Sequence, residues 1–280
     1  MALRTDGQGT TLPSLDATYS PDVVTMALTR CGLLVEKAET IAGLYARHCD
    51  WTVVEEKWFD ERHADRSTRG SSKEIYRALS SRFKTASSGL PSIDRLPSIF
   101  EQCETPRDKA QVLYFYLLDD DPLVKYTVHQ YVQRLAQSGS DGLDFEQGTL
   151  SRLLNEFHYD DGSDFSYADS TIQRWGEGLR SVMRKIGVLE TQQTLQGDVP
   201  NVGTVPLLVA SGYSWERDGT DWLSHPVGWL YLFQPEPYWE SLATRLSDHP
   251  HWEASNLHGE LRLEPVGDTY GWADPAEEDE

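Results

Sequence analysis

Two hundred and eighty residues at 31.7 kDa, 39% hydrophobic and 11% aromatic, hold enough apolar chain for one large or two ordinary packed domains, which excludes a disordered chain. Forty-five acids against 25 bases leave −20, so a general attraction to nucleic acid is excluded and any such role has to rest on local patches. Only seven of the bases are lysines; an acid-coated, lysine-poor surface suits a halophilic source, where charge repulsion is screened over short distances, and equally an acidic cytosolic protein from a GC-rich genome.

Residues 1–20 carry Gly, Thr, Ser and Pro without a period and read as a flexible arm. A helical domain with a helix-turn-helix is expected over 21–140. Within it, Leu34, Ile41, Leu44 and Tyr45 give Leu33 to Cys49 a helical period, and Asp50 can cap a short helix carrying Val54, Trp58 and Phe59. A polar connector from Asp60 to Gly70 leads to a helix from Ser71 to Lys84. Beyond the Pro- and Ser-rich passage from Ser87 to Pro97, Thr105 and Pro106 supply cap and first-turn signals for a helix through Leu118. Its apolar residues from Val112 to Leu118 surround it on every side, which marks a central core element. Asp119, Asp120, Asp121 and Pro122 interrupt the pattern, and Leu123 to Leu135 resumes it.

A winged-helix-like domain with a β extension is expected over 141–270, ahead of an acidic tail at 271–280. Helices are predicted from Phe145 to Phe157 and from Ser170 to Ile186, followed by strands at Val188 to Gln196 and Gly203 to Ala210. Helix, helix, two-stranded ribbon is the order of a winged helix. Trp229 to Phe233 and Leu261 to Val266 read as further strands, and Pro237 to Leu246 as a helix. The expected class is predominantly α, α+β overall, with a small β-sheet.

The longest apolar runs, Ala110 to Leu118 and Val205 to Ala210, fall far short of the roughly 20 residues that cross a bilayer. No charged-apolar-small pattern opens the chain, so a cytoplasmic location is expected. Cys31, Cys49 and Cys103, odd in number and widely spaced, suit free thiols.

The strongest local charge is Arg62 to Lys84, where seven bases (Arg62, Arg66, Arg69, Lys73, Arg77, Arg82, Lys84) face two acids, Asp65 and Glu74. On a helix at about 100° per residue, Lys73, Arg77 and Lys84 share one face while Ile75, Leu79 and Phe83 share another. Such a helix either meets phosphates and base edges or is a solvated face whose bases pair with surrounding acids. In the helix from Ser170, Ile172, Trp175, Leu179, Val182, Met183 and Ile186 form an apolar arc, with Arg174, Arg180, Arg184 and Lys185 on the remaining surface. It reads as a DNA-docked helix or as a core helix with ordinary solvated charges. The expected wing, Gly197 to Asn201, carries an acid and no base.

Enzyme signatures are weak. Glu55 and Lys57 have the E-x-K spacing of metal-dependent nucleases but lie in a helical pattern. Asp248, His249, His251 and His258 have no spacing that fixes a metal geometry, and Asp160, Asp161 and Asp164 lack the ligand order of a calcium loop. No catalytic residue, metal or cofactor is expected. The tryptophans read as core residues, although Trp215, Trp222, Trp229 and Trp239 cluster where they could anchor a partner.

Two stretches carry a family resemblance. Cys49 to Phe83, CDWTVVEEKWFDERHADRSTRGSSKEIYRALSSRF, resembles the early region of the BrxA proteins of BREX phage-defence systems, with a short helix, a basic connector and a helix ending in the pair Arg82 and Phe83. Tyr167 to Glu190, YADSTIQRWGEGLRSVMRKIGVLE, is similar to that family's S-T pair, amphipathic helix and G-x-L-E-like exit. The resemblance covers roughly residues 20–195; the acidity and the extension beyond Gly212 depart from it. It implies a non-catalytic, mostly helical antiviral-defence protein that binds double-stranded DNA. The implied contacts are Arg66, Arg69, Lys73, Arg77, Arg82 and Lys84, with Arg174, Arg180, Arg184 and Lys185 as a second surface. Alternatives from the same resemblance are a scaffold that holds other BREX proteins through the Trp-rich C-terminal region, and an RNA-binding antitermination-like protein.

Overall fold

The computed structural model describes residues 19–21, 24–29, 31–64, 69–87, 89–257 and 260–274. Most of the expected arm and tail, residues 1–18 and 275–280, therefore lies outside the described residues.

Short polar residues at chain reversals start three helices of the first half. α1 (Val35–His48) ends at Cys49, which takes a left-handed conformation with φ 50°. Asp50 then accepts a hydrogen bond from the Thr52 amide at 2.7 Å and opens α2 (Trp51–Asp60). α3 (Arg69–Thr85) and α4 (Leu96–Gln102) follow. α5 (Pro106–Asp120) begins with a complete capping box, in which Thr105 and Asp108 each bond the other's backbone amide, and with Pro106 in its first turn. Asp121 ends α5 and caps α6 (Pro122–Ser138), its Oδ1 accepting from the amides of Leu123 and Val124 at 3.1 Å.

α5 is the centre of the molecule. Every residue from Ala110 to Leu118 is buried, and the helix packs against α3, α6 and two helices of the second half, α8 (Asp169–Ile186) and α9 (Thr204–Asp218). Gln111, polar and fully buried, donates through Nε2 to the carbonyls of Ile186 and Asn201, both at 2.9 Å, and so ties the end of α8 to the segment that leads into α9. α7 (Gln147–Asn155) lies between α6 and α8. Gly178 lets α8 approach the turn at Ala27 to Thr29, since a Cβ there would lie 2.3 Å from the Leu28 carbonyl oxygen. α8 ends at Gly187, whose φ of 89° suits glycine.

The expected winged-helix ribbon does not form. Residues 188–203 run without a named strand, joined to residues 143–145 by a single bridge, Asp144 with Gln196, and by the bonds Phe145 N to Leu195 O at 2.8 Å and Gly197 N to Leu143 O at 2.7 Å. Gly203 to Ala210 is the N-cap and first half of α9. This helix is buried from Val205 through Ser214, and burial on all sides removes the polar face that would betray a helical period. Trp229 to Phe233, expected as a strand, belongs to a short helix, α10 (Val227–Tyr231), and its exit.

α11 (Trp239–Ser247) and an antiparallel pair, β1 (Trp252–Leu257) and β2 (Glu260–Pro265), complete the fold, with Trp252 opposite Pro265. Seven tryptophans are buried, including Trp222, Trp229, Trp239 and Trp252; Trp51 and Trp215 are half-buried. Trp222 holds the ribbon, donating to the Leu263 carbonyl at 2.8 Å while its ring meets Trp229 edge-on at 5.2 Å. The chain is thus predominantly α with a small two-stranded sheet. Among the described residues no helix is long and apolar enough to cross a membrane, and none of the three cysteines forms a disulfide.

Candidate nucleic-acid interface

α3 folds as an amphipathic helix with its apolar side on α5. Ile75, Tyr76, Leu79 and Phe83 are buried, and Lys73, Arg77 and Lys84 are exposed. Among the described residues, neither Lys73 nor Arg77 has a carboxylate partner. Lys84 lies with its ammonium 4.6 Å from the centre of the Trp51 ring, and that ring sits 4.7 Å from Tyr45. The basic face therefore ends on a half-buried aromatic pair, which the sequence reading left out; the only signal was an aromatic residue directly after the Asp50 cap. Arg69 is the first residue of α3, four before Lys73, so the helix phase places its position on the basic side. Arg66 lies outside the described residues.

Arg82 does not belong to this face. It is nine residues from Lys73, about 180° around the helix. It is only 4% exposed, and its guanidinium donates to the carbonyls of Gly32 at 2.7 Å and Cys31 at 2.9 Å, with Asp120 at 3.7 Å. Burial pulls its pKa down, and the neighbouring Asp120 and Asp121 push it back up. Arg82 fastens α3 to the chain before α1.

The aspartates at the end of α5 hold the same end of the helix. Asp120 accepts from Ser81 at 2.8 Å and Thr85 at 3.3 Å, and Asp119 accepts from the Ser87 amide at 2.9 Å and pairs with Lys125 at 3.5 Å. Burial raises the Asp121 carboxyl to about 7, against the lowering effect of the Val124 amide and Arg82. These contacts set the angle at which Lys73 and Arg77 meet solvent.

α8 divides its four bases between two flanks. Arg174 and Lys185 are exposed on one, within about 20° of each other in helix phase. Arg180 and Arg184 lie half-buried on the other, where Arg180 Nη1 donates to the Phe145 carbonyl at 3.3 Å and to Gln147 Oε1 at 3.4 Å. The second surface expected from the sequence is therefore two separate places.

The weaker candidates are placed as follows. Glu55 and Lys57 are exposed on α2, with Lys57 paired to Glu61 at 3.5 Å. The rings of His249 and His251 are 5.6 Å apart, and His258 lies outside the described residues. Asp161 accepts from the amide of Ser163 at 2.8 Å, an Asx turn, and Asp164 lies 3.3 Å from His158. Among the described residues no three His, Cys, Asp or Glu side chains gather as metal ligands would. Among the described residues of the C-terminal region, Tyr238 and Val266 are the exposed large apolar side chains, so a partner surface there would use them before the buried tryptophans.

No protein-family model and no curated protein matches the chain. In fold it is similar to the crystal structure of an uncharacterized protein from Magnetospirillum magneticum, at 11% identity and a TM-score of 0.50 over 76% of this chain and 97% of that one. That likeness concerns the fold alone.

Proposed function

We propose that this chain is a non-catalytic, cytoplasmic, DNA-binding accessory protein of a BREX-type anti-phage system, as its resemblance to the BrxA family implies. The observation that carries the reading is the outer face of α3. In a chain of net charge −20, acids are abundant, yet Lys73 and Arg77 stand exposed without one among the described residues. Cations left unpaired in such a background suit an anionic partner, and a helix fastened at its C-terminal end by Arg82 and the aspartates holds them at a fixed place on the surface. α2 and α3 would act as the helix-turn-helix, and Arg174 and Lys185 of α8 would provide a second contact. Counterion release yields little at high salt, so binding there would need base-edge contacts or partner proteins as well.

The reading is tested by fluorescence anisotropy with duplex DNA at low salt. The pair Lys73→Glu, Arg77→Glu is expected to bind at least about tenfold more weakly with its circular dichroism unchanged. Equal affinity would remove α3 from the interface.

A further inference from the structure

The inner flank of α8 carries chemistry that the α3 reading does not use. Arg180 and Arg184, one helical turn apart, line a cleft of about 570 Å³ between α7, α8 and the chain after Glu190. Its other polar side chains are Gln147, Gln192, Gln193 and Glu177, and Leu195 supplies an apolar wall. Like charges at this spacing repel, and nothing nearby neutralises them in a close pair. Glu177 makes no ion pair within 4.0 Å with either arginine and accepts instead from Gln173 at 3.5 Å. The Arg184 guanidinium has no hydrogen-bond or ion-pair partner among the described residues. Arg180 is oriented by the Phe145 carbonyl and Gln147, which leaves most of its donors for something else. Burial lowers the Arg180 pKa, Glu177 raises it and Arg184 lowers it again, so an anion between the two arginines would relieve a real cost.

Gly176 keeps the corner open. A Cβ at that position would lie 2.9 Å from Gln147 Oε1 and 3.4 Å from Arg180 Nη1. Any side chain there would displace the pair that orients Arg180. One guanidinium already saturates a carboxylate, whereas two forks together match the several oxygens and higher charge of a phosphate. Glutamine amides and an apolar side chain beside that position suit the edge and face of a base, and the volume falls within the range of small-ligand sites.

We propose that this cleft binds the phosphate of a nucleotide, clamped between Arg180 and Arg184 with the amides of Gln192 and Gln193 as further donors. The site stands independently of the α3 reading. Its ligand is either a free nucleotide or one residue of a nucleic-acid strand, and the chemistry of the clamp is the same for both.

Calorimetric titration of the full chain with 5′-AMP and with inorganic phosphate at low chloride tests this. Both are expected to bind one-to-one in the wild type, and Arg184→Gln, which breaks no hydrogen bond or ion pair among the described residues, should weaken both at least about tenfold. Lys57→Gln on α2 should bind like wild type, as should the pair Lys73→Glu, Arg77→Glu. Absence of binding by the wild type, or equal binding by Arg184→Gln, would overturn the proposal. A strand-binding titration of Arg184→Gln then separates the sources: lost affinity assigns the phosphate to a strand, and unchanged affinity assigns it to a free nucleotide.

Discussion

α3 and α8 are alike in length, 17 and 18 residues, and both bury an apolar arc beneath arginines and lysines, yet they present those cations in opposite ways. Nothing described covers the outer side of α3 at Lys73 and Arg77, which stand free, while Arg82 is drawn inward to cap backbone carbonyls. α8 is flanked by α5, α7 and the turn at Ala27 to Thr29, so its bases separate into an exposed pair and a recessed pair. Charge count alone does not show this difference in placement. What packs against each flank decides whether an arginine is a surface contact, a cleft donor or a core anchor.

The largest expected effect tests the anchor. Arg82→Met should lower stability by about 3 kcal/mol or more, because Asp120 and the carbonyls of Cys31 and Gly32 lose a buried cation together; urea unfolding measures it. A loss below about 1 kcal/mol, the range of an ordinary surface change, would place Arg82 with the exposed bases after all.

Next in size is a matched pair of glycines. Gly178→Ala on α8 drives a methyl into the Leu28 carbonyl and should cost about 1–3 kcal/mol. Gly70→Ala at the open start of α3 meets nothing within 4 Å and should gain about 0.5 kcal/mol from helix propensity. Thermal melting of both variants would show the crowded and the free helix directly, and equal shifts would break the contrast.

A smaller effect concerns the mooring of α3. The Asp121 carboxyl is raised to about 7, so the folded state holds its proton where the unfolded chain has released it, and this group's contribution to stability falls as pH rises from about 4 to about 7. His129 acts in the opposite sense. Burial lowers it to about 4, so its contribution is lost as pH falls from about 6.5 towards 4. Asp121→Asn keeps an acceptor for the α6 cap and should therefore gain stability relative to wild type between pH 5 and pH 8. A difference independent of pH would mean that Asp121 is ionised in the fold.

Much of this was legible in the sequence where a local signal controls the structure. Asp50 and Thr105 each announce a cap, and each makes the bond its position suggests, whereas Asp121, read only as an interruption, proves to cap α6. α9 was not legible, because Val205 to Ala210 is as apolar as a buried strand and the polar residues that continue the helix, Ser211 and Ser214, are themselves buried. The place of Arg82 was available from helix phase alone, since it falls on the side of Ile75 and Phe83. The cleft at Arg180 was not available, because Gln192 and Gln193 reach it through a chain path that periodicity misassigned to a strand.

The central claim is that Lys73 and Arg77 meet phosphates, and the salt dependence of duplex binding tests it most directly. Each phosphate contact contributes about 0.9 to the slope of log affinity against log salt. Arg77→Gln should flatten that slope by about this amount, and Lys73→Gln with Arg77→Gln by about twice as much. A slope identical to wild type in the double variant would contradict the account, whatever the affinity itself.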